Sequence, residues 1–262
     1  MAKAPSVISR VVAILNLFNE HRAFVSIEEL AELLDISVAS AYRYASDLTE
    51  AGLLSRVSGR YRLGPKIIEL EYLIQSYDPI LKAGRELMDG LAEFTGCNVL
   101  LCNVYDDTMV NVLHVTGRNP IQITYTKGMR MPVFRGAQAH IVLAYMNRRK
   151  LKRLYEAALA DPALAADALA IGADWRAFSK QLRDIRVDGY YISENQLDEG
   201  VTGIAAPVLG ENQEIIGSLV LIVDSNNPSR MANQTLAGLV KESAQEISKR
   251  VERISAENPQ AN

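Results

Sequence analysis

Residues 26–63, SIEELAELLDISVASAYRYASDLTEAGLLSRVSGRYRL, constrain the fold more than any other part of the chain. Ser26 with Glu29 three residues later is a capping box, in which each side chain covers an orphan backbone N–H of the other residue. Ile27, Leu30, Ala31 and Leu34 then recur at helical spacing and give a first helix one buried face. Asp35-Ile36-Ser37 interrupts that pattern, and Ser37 can cap a second helix, with Ser40 three residues on. Ala41, Ala45 and Leu48 form the inward side of the second helix, which Gly52 closes. The runs 53–57 and 60–63 flank Ser58-Gly59, a hairpin turn signal. Helix, turn, helix and hairpin in that order predict a winged helix-turn-helix.

Its second helix has the makings of a DNA-reading helix. Ser37, Ala39, Ser40 and Ser46 are small outward residues that permit close approach to a major groove, and Tyr42 and Arg43 reach bases or phosphates. Arg56, Arg60 and Arg62 on the wing are placed to hold the DNA backbone. Residues 1–63 contain as many Lys and Arg as Asp and Glu, so the contact rests on where the arginines stand rather than on net charge. The competing reading is a helix-turn-helix used only for protein contacts.

At 262 residues the chain is long enough for a small domain and one of ordinary size. Its hydrophobic content of 48% and charged content of 23% describe an ordinary globular protein. A net charge of −3 argues against indiscriminate coating of nucleic acid. Cys97 and Cys102 are five apart in a predicted strand, so they point to opposite faces and are read as buried thiols, not a disulfide. No metal-ligand spacing is present, and no cofactor is expected. Residues 1–6 lack the pattern of a secretory leader and no apolar run reaches membrane-spanning length, so the expected location is the cytoplasm, with no membrane partner.

Along the chain, residues 7–19 read as an opening helix with Val7, Val11, Ile14, Leu15 and Phe18 on one face. Residues 64–77 form a linker helix that is apolar on more than one side, which predicts packing against a second copy or across domains, and a homodimer is the favoured reading. Asp78-Pro79 starts another helix, ended by Gly96. Residues 97–105, 109–115 and 121–126 read as three strands of an antiparallel meander. Residue 135 opens a helix to about 146, and further helices cover 149–159 and 175–187, with an Ala-rich stretch between. The basic run at Arg148, Arg149, Lys150, Lys152 and Arg153 reads as a solvated helix face. Strands follow at 190–193, 201–209 and 214–223, then a long helix over 229–255 and a disordered tail, 256–262. About six strands, not in strict alternation with helices, make the second domain α+β. The expected organisation is a DNA-binding domain over 1–63, a linker helix over 64–77 and a second domain over 78–255.

Several segments together resemble the IclR family of bacterial transcription regulators. VISRVVAILNLF, LDISVASAYRYASDLTEAGLL and YRLGPKIIEL are similar to its opening helix, recognition segment and wing exit. GMRMPVFRGAQAHIVLAYM and GYYISENQLDEGVTGIAAPVLGENQEIIGSLVLIV are similar to the two signature segments of its effector domain. The resemblance covers nearly the whole chain. It implies a winged helix, a linker helix and a GAF-like antiparallel sheet domain flanked by helices. It also implies dimers that pair into dimers of dimers on operator DNA, and control by a small organic or aromatic acid. The family's ligand site carries over to Arg135, Gly136, Ala137 and Gln138, and to Glu194, Asn195, Gly203, Leu221 and Val223. The residues support the first group on their own, because a helix N-terminus with a glycine offers N–H groups to a carboxylate. Gly203 stands where relatives often have cysteine, and Leu221 and Val223 where small hydroxyl residues occur. A wider, more apolar pocket follows, with Tyr125 and Met131 on its wall. An enzyme is the weakest reading, since His114 and His140 are isolated and no nucleophile elbow, P-loop or metal spacing appears.

Overall fold

The computed structural model describes residues 6–106, 108–227 and 231–257. The chain divides into two compact units, Met1–Tyr77 and Asp78–Asn262.

The first unit begins with α1 (Val7–Leu15), capped by Ser6. This helix stops short of the predicted residue 19. Leu17 and Phe18 make tighter three-residue backbone bonds to Ile14 and Leu15, and Asn19 then pairs with Arg22. α2 (Ile27–Leu33) carries the full capping box, with Glu29 N donating to Ser26 Oγ at 3.1 Å and Ser26 N to Glu29 Oε2 at 2.7 Å. Asp35 takes the turn at φ +50, in the left-handed region that Asp enters more readily than most residues. α3 (Val38–Glu50) is capped by Ser37, whose Oγ accepts from Ser40 N at 3.2 Å. Gly52, at φ +75, lets the chain leave α3. β1 (Leu54–Val57) and β2 (Arg60–Leu63) pair around Ser58-Gly59, both at positive φ as a tight hairpin demands. Val25 bridges to β2 by exchanging both backbone hydrogen bonds with Tyr61. Ile14, Val25, Leu30, Ala41, Ala45, Leu48, Leu54 and Tyr61 meet in one core. α4 (Pro65–Tyr77) follows the wing, and none of its residues is buried.

The second unit is a five-stranded antiparallel sheet between two helical layers. α5 (Pro79–Thr95) is capped by Asp78 and closed by Gly96. β3 (Asn98–Tyr105), β4 (Thr108–Val115), β5 (Tyr191–Glu194), β6 (Val201–Leu209) and β7 (Ile215–Asp224) lie in the order β4-β3-β7-β6-β5. α6 (Ala137–Tyr145), α7 (Arg148–Leu159), α8 (Ala165–Ile171) and α9 (Trp175–Asp188) run between β4 and β5. α10 (Asn233–Glu257) ends the described chain. Alternate strand residues sort into two cores. Val99, Leu101, Leu219, Leu221 and Val223 pack with α5 and α10. Leu100, Ala205 and Val220 pack with α6 and α9. Cys97 joins the first layer and Cys102 the other face, both as free thiols. Every residue from Ala137 to Ala144 is buried, which explains why α6 carries no polar face.

The sheet corrects the expected count. Residues 121–126 form no strand. They run extended, held by side chains: Asn98 Nδ2 donates to Ile121 O at 2.9 Å, and Asn111 Nδ2 to Tyr125 O at 2.8 Å. Gln122 and Thr124 are exposed while Ile123 and Tyr125 turn inward, so the alternation records one-sided burial and not strand pairing. α10 also takes in residues 256 and 257 of the expected tail. The remainder of that tail, the start predicted at 229 and Asp107 of the β3–β4 turn lie outside the described residues.

Candidate DNA-binding surface and effector pocket

In the first unit, α2 and the wing leave one side of α3 uncovered. Ala39, Tyr42, Arg43 and Ser46 are exposed on it, Ser37 caps its start, and Ser40 is half-buried. Val38, 53% exposed, stands in the same first turn and was absent from the sequence-based set. The Arg43 guanidinium lies 5.5 Å from the Tyr44 ring centroid and makes no ion pair among the described residues. The wing arginines differ from one another. Arg62 is exposed on β2. Arg56 faces the Tyr61 ring at 5.9 Å, across the strand pair. Arg60 is engaged within the unit, donating to Phe24 O at 3.2 Å and pairing with Glu29 at 3.0 Å. The backbone N–H of Ser26 and the Arg60 guanidinium together hold the Glu29 carboxyl below the usual carboxylate range.

In the second unit, a recess of about 450 Å³, open mouth included, lies against the sheet at the N-terminus of α6. Its floor is Leu100, Gly203, Val220 and Ile222 from β3, β6 and β7. Ile123, Tyr125 and Met131 form one wall, and Gln196, Leu197 and Asp198 of the β5–β6 loop another. Ala137 and Gln138 close the end. Their first-turn N–H groups have no hydrogen-bond partner among the described residues, and Gly136 offers no side-chain cap. Such a helix start favours negative charge. Ser193 Oγ, on the same lining, is also without a partner among the described residues. No cationic side chain lines the recess, so an anion there would be held by neutral donors.

Buried amides set the polar groups. Gln138, 3% exposed, donates to Asn111 Oδ1 at 3.0 Å. Asn111 in turn holds Tyr125 O, which ties the helix end to the wall. Asp198 accepts from Thr124 N at 3.2 Å and Thr124 Oγ1 at 2.5 Å, pinning the two loops together.

Tyr125, Met131, Ala137, Gln138 and Gly203 all line the recess. Arg135 and Gly136 do not line it. The Arg135 guanidinium donates to Gln196 O, and Gly136 N to Gln196 Oε1 at 2.9 Å, so both brace the wall from behind. The N–H of Gly136, expected to be free, is thereby used. Glu194 is exposed on β5, and Asn195, at φ +54, accepts from Gly200 N to shape the loop. Neither reaches the pocket. Leu221 and Val223 are corrected outright: they lie on the opposite face, packed with α5 and α10. Gly203 pairs with Ile222, and residues directly opposite in a ladder share a face, so Ile222 and Val220 are the lining pair. A Cβ at position 203 would come 3.1 Å from Ser193 Oγ and 3.4 Å from Ala137 Cβ, so glycine keeps the floor open.

A winged helix-turn-helix and a sheet domain with a pocket at a helix start define a DNA-binding regulator that answers to a small molecule. The family models agree. Residues 7–58 match the IclR helix-turn-helix domain, and residues 73–249 match the bacterial transcriptional regulator IclR C-terminal domain. The chain belongs to the IclR family and is a transcriptional regulator, not an enzyme. It is 25% identical over 244 residues to the HTH-type transcriptional regulator KipR of Bacillus subtilis, covering 92% of this chain and 94% of that protein. It is 19% identical over 222 residues to the Pca regulon regulatory protein of Pseudomonas putida, covering 81% and 72%. Among solved structures, an IclR homolog complexed with 4-hydroxybenzoate from Microbacterium hydrocarbonoxydans aligns with a TM-score of 0.76 at 18% identity, over 94% of this chain and 99% of that one. An IclR regulator from Alicyclobacillus acidocaldarius aligns with the same TM-score of 0.76 at 20% identity, over 93% and 98%. No helix among the described residues is long and apolar enough to cross a membrane.

Proposed function

We propose that this regulator controls a catabolic operon, and that a small organic or aromatic acid bound in the α6 recess changes its affinity for operator DNA. The observation that carries this reading is the pairing of unpartnered N–H groups at Ala137 and Gln138 with the apolar walls Ile123, Met131 and Ile222. The helix start takes the carboxylate and the walls take the carbon skeleton. Two relatives support it by what they are called, one being complexed with 4-hydroxybenzoate and one being a Pca regulon regulator.

The regulator acts as a homodimer in this reading. α4 exposes Ile68 by 72%, Tyr72 by 69% and Leu73 by 49%, a surface that a second copy of the same helix covers. Two winged units then read a partly palindromic site with α3 in the major groove, Arg43 and Tyr42 at base edges or phosphates, and Arg56 and Arg62 on the backbone. The effector must bind one arrangement of the winged units better than another, because only differential affinity shifts occupancy. The test is binding to DNA from the gene's own upstream region, with and without a panel of aromatic and aliphatic acids. Specific binding that one acid shifts supports both halves of the proposal. Specific binding that no acid shifts removes the acid effector, and no specific binding removes the regulator of its own region.

A further inference from the structure

The basic run of α7 is largely exposed, and Arg148 at its start also faces a cleft. The fold brings α9 alongside it, and a cleft of about 640 Å³, mouth included, opens between them. Arg148 of α7 and Arg183 and Arg186 of α9 line it, and no carboxylate does. Two nearby acidic residues are engaged by lysines: Glu156 pairs with Lys152 at 3.6 Å and Asp184 with Lys180 at 3.8 Å. None of the three arginines has an ion pair among the described residues. The Arg186 guanidinium is set in place over the Tyr145 ring, 5.1 Å from its centroid. Leu151 and Leu182 floor the cleft and Trp175 forms a wall. On a chain of net charge −3, three guanidinium groups without an ion pair among the described residues stand around an apolar floor, and Arg148 and Arg186 also border a neighbouring hollow lined by Asp106 and Glu214.

We propose that the α7–α9 cleft is a second ligand site, distinct from the α6 recess, for a small oxyanion bearing at least two negative charges. Guanidinium forks match phosphate and carboxylate oxygens two at a time. The floor and the indole take an apolar or flat portion of the ligand. A duplex backbone is a poorer fit, since phosphate contacts are made by side chains projecting from a surface, whereas this cleft is concave with an apolar base. The two anion sites divide the chemistry. The α6 recess holds charge with neutral donors, and the α7–α9 cleft with three cations.

Trp175, the single tryptophan of the chain, lines both this cleft and the neighbouring hollow of Arg149, Lys152 and Arg153, so its fluorescence reports binding at either, and Arg183, which lines the cleft and not that hollow, tells them apart. The full chain is titrated with pyrophosphate and, separately, with citrate, at ionic strength held constant with sodium chloride. A saturable change with either is expected. Response to pyrophosphate alone assigns phosphate chemistry, and to citrate alone polycarboxylate chemistry. Arg183→Ala and Arg148→Ala, both at exposed positions, should each weaken the midpoint about tenfold, with Arg183→Lys intermediate. Three results overturn the site: a change no different from that with sodium chloride, a midpoint unmoved by Arg183→Ala, or a short DNA duplex that shifts Trp175 at lower concentration than either anion. The last would make the face a nucleic-acid contact. Because none of these readings involves operator DNA or the α6 recess, their failure leaves the regulatory proposal standing.

Discussion

Arg43 and Arg60 look equivalent in sequence, and their neighbours make them different. Arg43 projects from the uncovered side of α3 without an acidic partner among the described residues, whereas Arg60 is tied to Glu29 and to Phe24 O. Arg43→Ala is expected to lose specific operator affinity by about tenfold or more, with thermal stability and effector binding unchanged, by gel-shift titration beside a melting curve. Arg60→Ala should instead perturb the wing and the start of α2, with a smaller loss on DNA. The Glu29 carboxyl carries a pH consequence. Its folded pKa lies below the ordinary 4.5, so its contribution is present above that value and is lost as pH falls through the lower folded one. Acid unfolding of Glu29→Gln should lack that dependence below about pH 4.5, which a melting series against pH would measure. The capping box was legible because its partners are three residues apart. The Arg60–Glu29 pair spans 31 residues and left no local trace.

At the scale of elements, β6 and β7 show how one residue of register decides a site. Gly203 was carried to the pocket by the family resemblance together with Leu221 and Val223, yet the ladder sets Gly203 against Ile222. Both β7 faces are buried and apolar, so the sequence of the strand offers no alternation from which to choose the face. Ile222→Ser should alter effector affinity or selectivity with a modest effect on folding, as a ligand titration and a melt would show together. Leu221→Ala should leave the ligand's affinity alone and cost about 2–5 kcal/mol of stability, read by chemical denaturation. Residues 121–126 give the converse lesson. Their alternation was visible, but residues 128–131 are the ones that bond to the outer edge of β4, at Met109 and Asn111, so 121–126 run along the recess and are held by Asn98 and Asn111 instead. Helices were legible from caps and spacing. The pocket's loop wall, with Gln196, Leu197 and Asp198, was not, because its position depends on tertiary bonds to Arg135, Gly136 and Thr124.

For the whole molecule, the proposed homodimer rests on α4. Replacing Leu70 and Leu73, 43% and 49% exposed, by Glu should give a monomer that still binds effector and has lost operator affinity, measured by light scattering and gel shift. Pro65, and Asp78 with Pro79, punctuate the chain on either side of α4, as the sequence indicated by their suitability for helix starts. The exposed apolar character of that helix also bears on copy number. If the species that reads DNA forms only when two α4 helices meet, then at low abundance the amount of active regulator rises with the square of the amount of chain. Halving the gene dose would then quarter the operator-competent pool, and the switch would respond to the cell's own supply of the protein as well as to the acid.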